Sequence, residues 1–406
     1  MTVAAPSSAA PPAQVTKLDE RRAFGVACGA HALHDGYTDL VYVMLPIWQK
    51  EFAISYAAIG LLRTCFSGTM AALQIPSGLL SERFGIALVL AIGTALVGVG
   101  YCVAGMSTGF VMLVVALLLG GTGASTQHPL ASALVARAFS GPRSLKALGT
   151  YNFAGDIGKM TMPAAAALLL ALMPWQPVLA MLGLLGFIAA VGIYHLTPRL
   201  PDEPVHASGE SKASAASGAR GGRFGFPLLL SIGVIDSATR MAFLTFLPFV
   251  LVSKGASLQL IGMALTLVFA GGAVGKFVCT FIGARIGVIP TVYLTEGLTT
   301  AGIIAILPLP LEVVLVLLPI IGVALNGTSS VVYGSVPELV APEKRRRAFS
   351  VFYTGTIGSG AVSPAIYGWI GDDIGLTTML GIVAGLCLLT LPLAMLLKPA
   401  LEPVRA

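Results

Sequence analysis

"TPRLPDEPVHASGESKASAASGARGGR", Thr197 to Arg223, is a polar, Ser/Ala/Gly-rich stretch in a chain that is otherwise fit for lipid. Of 406 residues, 56% are hydrophobic and only 10% charged, whereas roughly a quarter of a soluble domain is charged. A membrane-spanning helix needs roughly 20 mostly apolar residues. Working outward from the stretch, six such segments precede it (24–48, 56–80, 86–106, 109–138, 146–171 and 175–196) and six follow it (225–252, 258–282, 288–309, 312–339, 347–371 and 376–398). The expected fold is therefore an all-α membrane protein with twelve transmembrane helices in two six-helix halves. The expected organisation is a disordered tail over 1–22, a first half over 23–196, a linker over 197–224, a second half over 225–398 and a short tail over 399–406.

The composition supports this division. Gly 48 and Pro 25 would mean loops in a soluble chain, but membrane bundles tolerate both because neighbouring helices satisfy the freed backbone groups. Cys28, Cys65, Cys102, Cys279 and Cys387 are scattered through apolar segments without CxxC spacing, so they read as small core residues; no metal site and no disulfide framework is expected. The opening "MTVAAPSSAAPPAQVTKLDERR" is too polar for a signal-peptide core, which leaves the first helix as its own insertion signal.

Charge sets the expected orientation. Eighteen of the Lys and Arg residues, including Arg83, Arg143, Arg285 and Lys344 to Arg347, fall on the side of the termini and linker, against Lys50 and Lys254 opposite. By the positive-inside rule both termini are expected in the cytoplasm, in the inner membrane of the cell. An even helix count also puts both termini on one side. The net charge of +6 is thus a topological bias, spread over many short loops, and no nucleic-acid partner is expected.

A weak internal repeat accompanies the division. At an offset of 202, Pro46 matches Pro248, Ile59-Gly60 matches Ile261-Gly262, Arg83 and Gly85 match Arg285 and Gly287, and Gly120 matches Gly322. The matches fall at span ends and in the loops after spans two and eight. Two parallel-repeat halves rocking about a central site is the alternating-access design of secondary transporters.

The loop after span two, "GLLSERFG", Gly78 to Gly85, resembles the signature of the major facilitator superfamily between helices two and three. Glu82 stands where the family usually has aspartate, Arg83 supplies the base, and Ile86 replaces the usual following basic residue. Gly78, Glu82, Arg83 and Gly85 are expected to act as a conformational latch: the acid pairs with a base or caps a helix in one state and releases it in the other. The second-half copy, "FIGARIG", has Ala284 at the acidic position. Further segments, "HALHDGYTDLVYVMLPIWQKEFAIS", "GTGASTQHP", "GTYNFAGDIGKMTMP" and "YGSVPELVAP", resemble the fosmidomycin-resistance branch of drug exporters. This resemblance implies helices one, four, seven and ten lining a central cavity, with five and eight beside them. Asp156, Lys159 and Arg63 depart from the branch's more neutral pattern, so the ligand is expected to differ.

An ionised side chain at a helix centre costs roughly 2.5–3.5 kcal/mol on insertion scales. Such groups therefore face a cavity or pair with one another. Nine are candidates: Asp35, Asp39, Asp156, Asp236, Glu296, Arg63, Lys159, Arg240 and Lys276. Asp35 and Asp39 are four apart on one helix face with His31, and two close carboxylates hold one proton in common more readily than either alone. Asp35, Asp39, His34 and His31 are the candidate proton-coupling groups, with a fixed Asp39–Arg63 bridge as the structural alternative. Lys159 and Arg240 are expected to clamp an anionic substrate from opposite halves, unless Asp156–Lys159 and Asp236–Arg240 merely pair within their own helices; Arg63 is a further candidate substrate-binding residue. Lys276 is near enough to the inner end to snorkel, and Glu296 sits on a peripheral span. Asp156, Asp236 and Lys276, with His128, Tyr151, Asn152, Asn326 and Tyr333, complete the candidate substrate-binding set.

No Walker loop, HExxH or GxSxG elbow is present, and no soluble portion exceeds the tail and linker. An enzyme, an ATP-driven pump and a sensor are therefore not expected, and no cofactor is called for. The expected function is secondary transport, with export of an organic anionic or amphipathic compound in exchange for protons first. Proton-coupled uptake of a small organic anion such as a carboxylate or phosphonate is the alternative. The expected partners are a small-molecule substrate, protons and the lipid bilayer, around a monomer.

Overall fold

In the computed structural model, residues 15–200 and 224–401 are described. The expected disordered segment up to residue 14, the linker over 201–223 and the final residues 402–406 lie outside them. Twelve long helices make up the described residues. The first half holds α1 (Lys17–Phe52), α2 (Tyr56–Phe84), α3 (Ile86–Gly105), α4 (Phe110–Ala138), α5 (Pro142–Leu169) and α6 (Trp175–Leu196). The second holds α7 (Gly225–Ser253), α8 (Leu258–Ile286), α9 (Val288–Ile306), α10 (Leu311–Leu339), α11 (Arg345–Ile374) and α12 (Leu376–Leu401). Every expected span is present. The chief boundary difference is at α1, where a capping box between Thr16 and Asp19 starts the helix at Lys17 and draws in residues read as tail.

Nine of the described helices are long and apolar enough to cross a membrane. The other three are α1, α5 and α11. Mid-helix Asp35, Asp39, Asp156 and Lys159 lower the hydropathy of α1 and α5, and a Gly/Ser/Thr-rich middle, Thr354 to Ser363, lowers that of α11. Of the three, α1 is buried along most of its middle.

The offset of 202 has a structural counterpart. Adding it to the bounds of α2 gives those of α8, and both helices open on a serine, Ser55 and Ser257, whose hydroxyl accepts a bond from the backbone N–H three residues on, at 3.3 Å in each. Both close on a glycine at positive φ, Gly85 at 85° and Gly287 at 90°. Only glycine adopts that turn without strain.

Within each half the helices pack in equivalent pairs, α1 on α5 and α7 on α11, α3 on α6 and α9 on α12. The halves meet through α2 against α11 and α5 against α8. At the end opposite the linker, apolar side chains form one cluster across both halves, including Leu45, Trp48 and Ile59 from the first and Phe246, Leu265 and Leu380 from the second. At the linker end the clusters are separate, one around Leu90 and Leu134, the other around Leu229, Val332 and Phe352. The halves are therefore joined at one end and parted at the other.

Specific contacts hold the joined end. The Asp372 carboxylate at the end of α11 accepts from the Tyr56 and Ala57 backbone N–H groups at 2.7 and 2.9 Å, capping the N-terminus of α2 across the interface. Gly60 and Gly368 let the two backbones touch, because a methyl group at either would meet the carbonyl of Pro364 or Tyr56. Lys254, one of the two lysines on this side, donates to the Leu307 and Leu309 carbonyls at 2.8 and 2.6 Å, satisfying the end of α9.

Candidate functional site

Between the parted ends lies a cavity of ≈ 580 Å³ at mid-depth. From the first half, α1 presents His34, Asp35 and Asp39, α2 presents Arg63, α4 presents His128, and α5 presents Asn152 and Lys159. From the second half, α7 presents Asp236 and Arg240, and α10 presents Tyr333. A turn at Ser125–Thr126 interrupts α4 immediately before Gln127 and His128. Asp35, Asp39, Arg63 and Asp236 are all at least nine-tenths buried, so their charges act in a low-dielectric setting where each needs a partner.

Asp35 is the hub of the first half. Its Oδ2 lies 3.4 Å from Lys159 Nζ, and its Oδ1 lies 3.5 Å from His31 Nε2 and 3.8 Å from His34 Nε2. His34 Nε2 is 3.3 Å from His128 Nε2. His31 itself sits behind this surface: its ring stacks on Tyr151 at 4.1 Å, and its Nδ1 is 2.9 Å from the Tyr151 carbonyl. Tyr151 thus supports a histidine and does not line the cavity.

Asp39 and Arg63 are neighbours but loosely joined, 4.0 Å apart. The guanidinium makes closer bonds to the Tyr42 hydroxyl at 2.9 Å and the Thr38 carbonyl at 3.3 Å, and its Nε has no hydrogen-bond partner among the described residues. Across the cavity, Arg240 donates to the Ser329 hydroxyl at 3.5 Å, and its buried Nε is likewise without a partner. Two guanidinium groups, one per half, therefore keep donor capacity.

Within-helix pairing is not the arrangement found. Lys159 reaches Asp35 on α1, and Asp156 pairs with Lys276 of α8 at 2.6 Å, so these charges stitch helices together. The Asp156–Lys276 pair lies at the α5–α8 contact and lines no part of the cavity, which separates both residues from the expected substrate set. Helical rotation explains this: Asp156 and Lys159 are three positions apart, which offsets them by about 60° around the helix and lets the two side chains meet different neighbours. Asn326 also lies off the cavity; its amide donates to the Gly322 carbonyl at 3.2 Å and packs beside Gly272 of α8. Glu296 is buried behind α7 with one oxygen 2.8 Å from Cys387 Sγ.

Gly78, Glu82, Arg83 and Gly85, the expected latch, stand at the parted end. Gly85 makes the turn, Gly78 gives its carbonyl to Ser81, and Arg83 lies over the Phe84 ring at 5.3 Å. Glu82 is exposed and has no ion-pair or hydrogen-bond partner among the described residues. The sequence reading missed Gln74, Ser329 and the aromatic wall of Phe352 and Tyr353. Neutral and aromatic side chains are common in any span, so nothing in their spacing distinguished them.

Two six-helix halves around a buried, charged cavity, joined at one end and open at the other, define a membrane transporter of the alternating-access class. The chain matches the family model described as Major Facilitator Superfamily over residues 27–231 and 229–406, and it belongs to that superfamily. It is 29% identical over 154 residues to the fosmidomycin resistance protein of Escherichia coli (strain K12), a match covering 37% of this chain and 38% of that relative. An uncharacterised MFS-type transporter of Mycobacterium tuberculosis is 26% identical over 165 residues, covering 41% of this chain and 28% of that one. The matches thus span well under half of either curated relative. Among solved structures, a bacterial homologue of the human lysosomal transporter Spinster, inward-facing and occupied, shares the fold with a TM-score of 0.77 at 14% identity, covering 94% of this chain and 97% of that one. A mutant of a nucleoside transporter does so with a TM-score of 0.73 at 14% identity over 95% and 100% of the two chains. The protein is a multi-pass membrane protein of this transporter superfamily.

Proposed function

We propose that the protein is a proton-coupled carrier of an organic anion, working by alternating access, with its termini in the cytoplasm of the inner membrane and its cavity open to that side. The observation that carries this reading is the pair of arginines, Arg63 and Arg240, facing one cavity from opposite halves with buried Nε groups that have no hydrogen-bond partner among the described residues. A buried donor without an acceptor costs about 1–3 kcal/mol, more when charged. An anion bridging both halves removes that cost on each side, and the bridge ties binding to the closure of the cavity.

Asp39 couples the proton. Arg63 faces it from α2 at 4.0 Å; Asp35 lies one turn away on α1, and Lys159 and Asp156 act on it from α5. A proton on Asp39 removes the charge that draws Arg63 and releases the guanidinium to the anion, and an anion on Arg63 in turn favours that proton. Linkage of this sign moves proton and anion in the same direction. Asp35, already engaged by Lys159 and the histidines, orients the first-half wall.

Export in exchange for protons is the second reading, supported by the resemblance to a fosmidomycin resistance protein. Under it an amphipathic cargo docks on Asp39 and competes with the proton. Binding separates the two. Purified protein titrated with a panel of carboxylates and phosphonates should bind one class more tightly as pH falls through the coupling range. Arg63→Ala and Arg240→Ala should each weaken it by about 2 kcal/mol, or roughly 30-fold. Wild-type affinity for every anion in both variants would remove the arginine clamp.

A further inference from the structure

His31, Asp35 and His128 bring one ligand-type atom each to within 4.8 Å of one another. We propose that these three side chains bind a divalent transition-metal ion of the zinc class, with the fourth coordination position facing the cavity. The expectation of no metal site rested on cysteine spacing alone; α1 and α4 contribute donors that no local spacing links, since His31 and His128 are 97 positions apart.

The donor set, two imidazoles and a carboxylate with one open position, has the composition of three-ligand zinc sites. It suits zinc, nickel or copper over magnesium or calcium, which take all-oxygen shells. Metal–ligand distances of about 2.0–2.1 Å place tetrahedral ligand atoms roughly 3.3–3.4 Å apart. His31 Nε2 and Asp35 Oδ1 are already 3.5 Å apart. His34 Nε2, 3.3 Å from His128 Nε2 and 3.8 Å from Asp35 Oδ1, borders the open position.

The surroundings are those of a built site. The Tyr151 carbonyl accepts only, so at 2.9 Å it fixes the proton on His31 Nδ1 and leaves the Nε2 lone pair toward Asp35 and His128. A backbone carbonyl behind the ring is the usual support of a metal-bound histidine. Lys159 holds the second oxygen of Asp35, and stacking on Tyr151 holds the His31 ring. His34, Asp35 and His128 line the cavity, which gives the ion its way in. Three acids (Asp35, Asp39 and Asp236) face three bases (Arg63, Lys159 and Arg240) across it. A divalent ion makes that balance positive, so metal and anion occupancy reinforce each other.

The test is spectroscopic and needs no substrate. Full-length protein in detergent, titrated with Co²⁺, should develop the intense visible bands of four-coordinate cobalt at one ion per chain, and Zn²⁺ should abolish them by competition. His31→Ala, His128→Ala and Asp35→Asn should each weaken Co²⁺ binding by more than about tenfold, while His195→Ala, at the far end of α6, should leave it unchanged. Monodisperse, helical wild-type protein that gives no such bands would overturn the proposal, as would equal Co²⁺ affinity in wild type and all three ligand variants. Neither outcome depends on transport, so failure of the carrier reading and failure of this one are told apart.

Discussion

At the residue scale, the polar stripe of α1 divides into two sites that one helical turn separates. Asp35 is held by Lys159 at 3.4 Å and by the histidines, whereas among the described residues Asp39 has only Arg63, at 4.0 Å, as a close ion-pair partner. The coupling role assigned to Asp39 predicts that Asp39→Asn loses gradient-driven transport while counterflow exchange persists, measured as tracer flux in vesicles with and without a pH difference. Equal loss of both would instead make Asp39 a binding or folding residue. The sequence carried much of this site, since a titratable group in a span is costly enough to need a reason. Helical spacing put Asp35 and Asp39 on one face. It did not show that Asp156 and Lys159 part company, because which neighbour each side chain meets depends on how α5 is rotated against α1 and α8.

At the element scale, the contacts between halves are of two kinds, and they fail differently. The Asp372 carboxylate on the N-terminus of α2 stabilises the joined end by about 1 kcal/mol, its exposure limiting the gain. Asp372→Ala should therefore raise the population open at that end by roughly fivefold. Alkylation of a cysteine placed at Phe249, buried in the joined cluster, measures this in a background without the native cysteines; an unchanged rate would mean that Asp372 does not hold the end closed. The Asp156–Lys276 pair is half covered, the lysine side chain being 38% exposed. Lys276→Met should lower stability by about 1–2 kcal/mol because Asp156 is left buried and alone, and adding Asp156→Asn should recover most of it, read by thermal unfolding. The elements themselves were legible in detail. Length and hydropathy gave all twelve, and serine before α2 and α8 with glycine after each explains why their ends were well marked. The start of α1 was not, because Lys17 to Arg22 are polar and only the Thr16–Asp19 capping box makes them helical.

At the scale of the whole molecule, the repeat gives two similar halves unlike charges to hold. The first carries the histidines, Asp35, Asp39 and Lys159; the second carries Asp236, Arg240 and the aromatic wall. Only the first half retains an acid in the loop after its second helix, Glu82, where the second has Ala284. With the linker end parted, Glu82 is exposed and has no partner among the described residues. The conformation itself was not legible in sequence, because the spans are apolar at both ends and only their packing shows which ends share one cluster. The central claim is that proton and organic anion move together through this cavity. Proteoliposomes with an imposed pH gradient test it most directly. Anion should accumulate in the direction in which protons flow, and Arg63→Ala should abolish that flux. Anion flux that ignores the gradient, or runs against the proton flow, would contradict the account.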